Sequence, residues 1–123
     1  MIFRIAIAST DGIIVNQHFG HAERFHIVEI NSNTDVYKFA ESRNVTPCCN
    51  NKDHEISSFD MVLKMLSDVQ AIFVSKIGAG AADYLEHKGL AVYQAPYPIE
   101  LLLKKIITEK RWEADEWQYL TKN

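Results

Sequence analysis

Hydrophobic positions along this chain fall first into strand-like runs and later into helical stripes. Ile2 to Ala8 is an apolar run with β-branched and aromatic members and reads as a strand. Asp11-Gly12 suits a tight turn because both residues tolerate positive φ, so Ile13-Ile14-Val15 is expected to return beside the first run as a hairpin. Arg24 to Ile30 predicts a third strand, Asn31 to Asp35 a turn, and Val36 to Ala40 an edge strand or extended arm. From Ser42 to Asp53 the residues are those of a loop: Pro47 favours extended geometry at Thr46, and the Asn50-to-Asp53 cluster favours turning. Ile56, Phe59, Leu63 and Leu66 then recur at helical spacing, with Asp53 or Ser57 as the candidate N-cap.

The second half alternates strand and helix. Val69 to Val74 is continuously apolar apart from Gln70, as expected of a strand buried on both faces. Lys76-Ile77-Gly78-Ala79-Gly80 turns into a helix running to about Lys88, with Gly89 as its C-terminal stop. Leu90 to Tyr93 is the next strand. Pro98 suits the first position of a last helix, whose apolar stripe is Ile99, Leu102, Leu103, Ile106 and Ile107. Strands followed by alternating units imply one α/β domain, a mixed sheet with helices packed on it. We assign residues 1–110 to this domain and 111–123 to a tail. Its aromatic and acidic stretch from Trp112 to Tyr119 docks on the sheet, packs on another subunit or moves freely.

Composition narrows the function classes. A chain of 123 residues can bury a core without disulfides. Thirteen basic residues against sixteen acidic ones, net −3, give no electrostatic footprint for nucleic acid or an anionic membrane. No apolar run reaches the roughly 18 residues of a membrane span, and Arg4 interrupts the short apolar start, so the expected location is the cytoplasm. The two cysteines, Cys48 and Cys49, are adjacent, a placement that strains a mutual disulfide and suits ligands or reactive thiols better.

Chemistry concentrates in two stretches. In His18-Phe19-Gly20-His21 two imidazoles three residues apart can converge on one ligand, with Gly20 expected to allow a sharp turn between them. Cys48, Cys49 and His54 add thiolates and a third imidazole, a donor set for zinc, iron–sulfur clusters or Cu(I) rather than magnesium or calcium. Two cysteines cannot cap a cubane with four thiolates, so a cluster held here needs other donors or arrives preassembled, which suits a carrier. Gly78 and Gly80 at a strand-to-helix turn either present amides to an anion or only permit close helix–sheet packing. Catalytic constellations are poor: Ser9-Thr10-Asp11 has no identifiable partner, and Cys49 with His54 lacks a third member. His26 reads as packed along its strand and His87 as a helix C-terminal residue.

The stretch Val15-Asn16-Gln17-His18-Phe19-Gly20-His21-Ala22, followed by Phe25 and Ile27, resembles the dinitrogenase iron–molybdenum cofactor biosynthesis family, the NifX-like proteins and the C-terminal domain of NifB. The resemblance runs over about residues 1–108 and includes the cysteine-bearing loop and the Ile77-Gly78 turn. It implies a ribonuclease H-like fold with a five-stranded mixed sheet and three helices. It also implies a non-enzymatic role in binding or escorting iron–sulfur or iron–molybdenum clusters or their precursors. His18 and His21 match the family's histidine loop and Cys48 or Cys49 its cysteine, whereas His54 rests on its physical suitability alone. The implied partners are a cluster donor or acceptor protein. A second reading is a regulatory or interaction module that uses the Trp112–Tyr119 stretch as contact surface and binds at most a single zinc or iron ion.

Overall fold

The structure is a computed structural model that describes residues 1–45 and 56–117, with backbone alone for 56–58. Five strands form one sheet: β1 (Ile2–Ala8), β2 (Arg24–Asn31), β3 (Val36–Asn44), β4 (Ala71–Val74) and β5 (Ala91–Gln94), in the order β3-β2-β1-β4-β5. β1 is central. It pairs antiparallel with β2, Ile5 opposite Val28, and parallel with β4, Ile5 opposite Ala71. β3 adds antiparallel to β2 and β5 parallel to β4.

Alternation along each strand sorts the core into two layers. Phe3, Ile5, Ile7, Val28, Ile30 and Phe73 face one way, against α3 (Ile99–Glu109) and the short α4 (Arg111–Ala114). Ala6, Ala8, Phe25, Ile27, Ile72 and Val74 face the other, with Val62 and Leu66 from the α1 region (Ile56–Met65) and Leu85 of α2 (Ala79–His87). All four β4 residues are buried, as a strand covered on both faces requires. Gly89, at φ +91°, ends α2: Gly89 N–H donates to Glu86 O and Leu90 N–H to Leu85 O, the paired bonds of a glycine-stopped helix.

The expected hairpin does not form. The Asp11 carboxylate accepts hydrogen bonds from Ile13 N–H and Ile14 N–H, which turns these amides away from β1. Residues 13–15 pair instead with the segment before α3, through Val15 N–H to Tyr97 O and Ile99 N–H to Ile13 O. The antiparallel partner of β1 is β2. β3 runs on to Asn44, beyond the predicted loop boundary at Ser42, with Ala40 as an extra residue between the Val28–Phe39 and Ile27–Glu41 pairs. Arg43 secures that end by donating to both Asp68 oxygens, at 2.7 and 2.8 Å, and to Met65 O. Pro98 is the N-cap of α3 rather than its first helical residue, and Ser57 lies inside α1 rather than capping it; Asp53 lies outside the described residues.

The segment after Lys110 docks on the sheet. Trp112 and Trp117 are buried in the same layer as Phe3 and Phe73. Phe3 stacks on Trp112 with ring centroids 5.9 Å apart, and Trp117 meets Phe3, Phe73 and Tyr93 edge-on. The Trp117 indole N–H donates to the Tyr93 hydroxyl at 2.7 Å, which in turn donates to Asp115. Among the described residues no helix is long and apolar enough to cross a membrane.

Candidate functional site

Ligands of parallel sheets sit beyond the C-terminal ends of the strands, where loops can converge. At that end of β1 and β4 the chain forms an open cleft of about 630 Å³. One wall is the loop carrying His18, Phe19, Gly20 and His21; the other is the Lys76-to-Ala81 turn into α2, with Phe59 and Tyr84 completing the lining. The two histidines and the three glycines singled out from the sequence, Gly20, Gly78 and Gly80, therefore share one cavity.

Backbone pairing fixes the two walls against each other. Phe19 N–H donates to Lys76 O at 2.9 Å and Ser75 N–H to Gln17 O at 2.9 Å, so His18 and Lys76 stand opposite one another in a parallel bridge. Phe19 and Ala22 are buried and anchor the loop from below, leaving both imidazoles exposed above. Their ring centroids are 6.4 Å apart and the rings are tilted by 48°. Two imidazoles on one ion, each nitrogen about 2.0–2.1 Å from it, would bring the centroids to roughly 5 Å at a tetrahedral angle. The observed separation is about 1 Å longer, a gap that two exposed side chains close by rotating, so the spacing admits one ion or a larger body.

The expectation for Gly20 needs correcting, and of the two alternatives for Gly78 and Gly80 close packing is the one the structure disfavours. Gly20 sits in a single 3₁₀ turn, Phe19–His21, closed by His21 N–H to His18 O, and it is not among the positive-φ glycines. The turn thus makes no demand for glycine's conformational freedom. A Cβ added at Gly78 or Gly80 would meet no atom within 4 Å, so helix–sheet contact does not explain them; both border the open cleft. Gly78 caps α2 without a side-chain hydrogen bond, and the first amides of that helix have no intrahelical acceptor.

The aromatic wall ties α1 to α2. Phe59 lies 6.0 Å from Phe19 and 5.9 Å from Tyr84, and the Tyr84 hydroxyl donates to Asp60 at 2.5 Å. That hydrogen bond to a carboxylate holds the Tyr84 phenol above its usual range and keeps it a neutral donor. Lys76, Phe59 and Tyr84 are cleft residues that sequence reasoning missed. A lone lysine in a turn and two aromatics on helices carry no signal until the fold juxtaposes them.

Cys48, Cys49 and His54 lie outside the described residues. On one side of them Val45 N–H donates to Glu23 O, two residues from His21; on the other Phe59 lines the cleft. Among the described residues no group of three or more His, Cys, Asp or Glu side chains is arranged to hold a metal ion. His26 bridges Ser9 O and the Ser42 hydroxyl through its two nitrogens, and His87 bonds Asp83 O at the end of α2. Neither lines the cleft.

Comparison with known proteins identifies the family. The family described as Dinitrogenase iron-molybdenum cofactor matches residues 1–109, nearly all of the domain and the whole cleft. The chain belongs to this family. The chain is similar to the FeMo cofactor biosynthesis protein NifB of Frankia alni, 35% identical over 108 residues, covering 85% of this chain and 20% of that protein. NifB of Klebsiella pneumoniae is 31% identical over 91 residues, covering 70% and 19%. The chain therefore spans about a fifth of the length of these relatives. In fold it is similar to the crystal structure of PH0822, with TM-score 0.66 and 24% identity, covering 87% of this chain and 90% of that one. It is also similar to a putative dinitrogenase from Methanocaldococcus jannaschii, with TM-score 0.57 and 15% identity, covering 89% and 92%. The family match ends at residue 109, two residues before Arg111, where the docked segment that carries Trp112 and Trp117 begins.

Proposed function

We propose that this protein binds an iron–sulfur or iron–molybdenum cluster, or a precursor of one, and passes it on during metallocluster assembly without catalysing its chemistry. The cluster is cargo rather than a resident cofactor. The observation that carries this reading is the joining of His18 and His21 to the α2 turn in one open cleft. Its openness suits a carrier, because cargo enclosed on all sides could not be handed to an acceptor protein. His18 and His21 offer imidazole nitrogens, or N–H donors to cluster sulfides, while Cys48 and Cys49 offer the soft thiolates that iron–sulfur species favour. Family membership supports the assembly role, since the relatives are named for cofactor biosynthesis.

Trp112 and Trp117, the aromatic anchors of the interaction-module reading's contact surface, are packed inside the chain's own core, while residues 113–116 between them stay exposed. The test is anaerobic incubation of the full chain with iron, sulfide and molybdate, followed by metal analysis and visible absorption. Sulfide-to-metal absorption is expected for the native chain, reduced in His18→Ala/His21→Ala and lost in Cys48→Ala/Cys49→Ala. A chromophore unchanged in both double variants would remove the cleft reading, and stoichiometric zinc with no chromophore would favour a single-ion site.

A further inference from the structure

Resting on that reading, we infer that the cleft selects cargo presenting an anionic face, and that Lys76 is the residue that makes the selection. The chain as a whole is acidic, with sixteen Asp and Glu. Yet among the described residues no carboxylate lines this cleft. Asp60, the carboxylate bonded to the Tyr84 rim, already accepts that residue's hydroxyl. What does line it is Lys76, the two exposed imidazoles, apolar rings and the open turn at Gly78 and Gly80. A hollow of about 480 Å³ beside β5 differs in charge, being bordered by Glu86, Asp115 and Glu116 with Arg111 as its cation.

Sign of charge decides what such a cavity holds. A bare divalent cation needs anionic or several neutral donors to replace its water and is repelled by a neighbouring ammonium. A sulfide-rich metal cluster or thiometallate carries net negative charge spread over a large, polarizable surface. For it, an ammonium supplies attraction, imidazole N–H groups donate to sulfide, and Phe19, Phe59 and Ile77 offer apolar contact. The Lys76 backbone is fixed, since its carbonyl accepts Phe19 N–H and it bridges to His18, and its side chain borders the cleft. A cationic residue and two imidazoles therefore line one opening. The amides at the start of α2 reinforce the same sign but do not create it.

The probe is tetrathiomolybdate, a molybdenum–sulfide dianion with its own visible absorption, titrated anaerobically into the full-length chain with dialysis and molybdenum analysis; zinc ion is the cationic control. Binding is expected for the native chain and to weaken as salt is raised. Lys76→Ala should weaken it on the order of fivefold and Lys76→Glu on the order of 25-fold, since the second change alters the local charge by twice as much. Lys76→Arg should restore most of it. Zinc retention should be unchanged or improved in Lys76→Glu. Lys76 is exposed, and circular dichroism verifies that each variant is folded. Equal tetrathiomolybdate binding by native and Lys76→Glu chains, or none by the native chain, overturns the inference. An iron–sulfur chromophore that forms regardless of residue 76 would overturn it while leaving the cluster reading intact; failure of the native chain to form any chromophore removes the cluster reading itself.

Discussion

Replacing Trp117 by alanine tests whether the segment beyond the family match is part of the folding unit. Trp117 is 7% exposed and touches the rings of Phe3, Phe73 and Tyr93, so nearly all its surface leaves water on folding. A buried aromatic removes roughly 150–250 Å² from solvent, worth about 4–6 kcal/mol at about 25 cal/mol per Å². The denatured chain already buries some of this, which brings the expected loss to about 4 kcal/mol, within the usual range for Trp→Ala. For a chain of 123 residues, an unfolding entropy of about 2.1 cal/mol/K per residue turns that loss into a fall in Tm of roughly 15 °C. Trp117→Phe keeps most of the ring contacts but removes the N–H donated to Tyr93, and should cost about 1–2 kcal/mol. Thermal and urea unfolding followed by circular dichroism measure both. A fall in Tm below about 4 °C for Trp117→Ala would refute the packing argument. Deleting residues 111–123 removes two buried indoles, so any function lost with them reports unfolding first.

Arg43 beside Asp68 holds that carboxylate below its ordinary value, through paired hydrogen bonds and charge. A depressed carboxylate contributes stability above its unfolded pKa and loses it as pH falls through the folded one. The native chain should therefore exceed Asp68→Asn by about 1 kcal/mol at pH 7 in urea titrations, with the gap closing below about pH 4; a gap independent of pH would refute the assignment. Gly80→Ala places a methyl in open space within the first turn of α2, so folding stability should hold or rise by about 0.5 kcal/mol while tetrathiomolybdate binding weakens. Destabilisation would show instead that the glycine serves packing. Gly12, at φ +74°, should behave oppositely: Gly12→Ala should lower stability by about 1 kcal/mol in the same urea assay, and a neutral result would remove the strained turn.

Local pattern alone determined much of this protein. The apolar run at Val69–Val74, the stripe from Ile99 to Ile107 and the Gly89 stop mark their elements because burial and helix termination act over neighbouring residues. The motif around His18 and His21 carried the family resemblance, since those residues are contiguous. Tertiary structure decided what depends on distant partners. Ile13–Val15 has strand-like residues, yet Asp11 caps its amides and residues 97–99 take its hydrogen bonds, leaving β1 to pair with β2 and β4. Trp112 and Trp117 read equally well as a loose tail until Phe3 and Phe73, from the far end and middle of the chain, are seen to receive them. Lys76 joins His18 only through a backbone bridge between segments 58 residues apart in sequence. The spacing of residues along the chain encodes local geometry, whereas the sign and shape of a cleft arise from walls that only the folded sheet brings together.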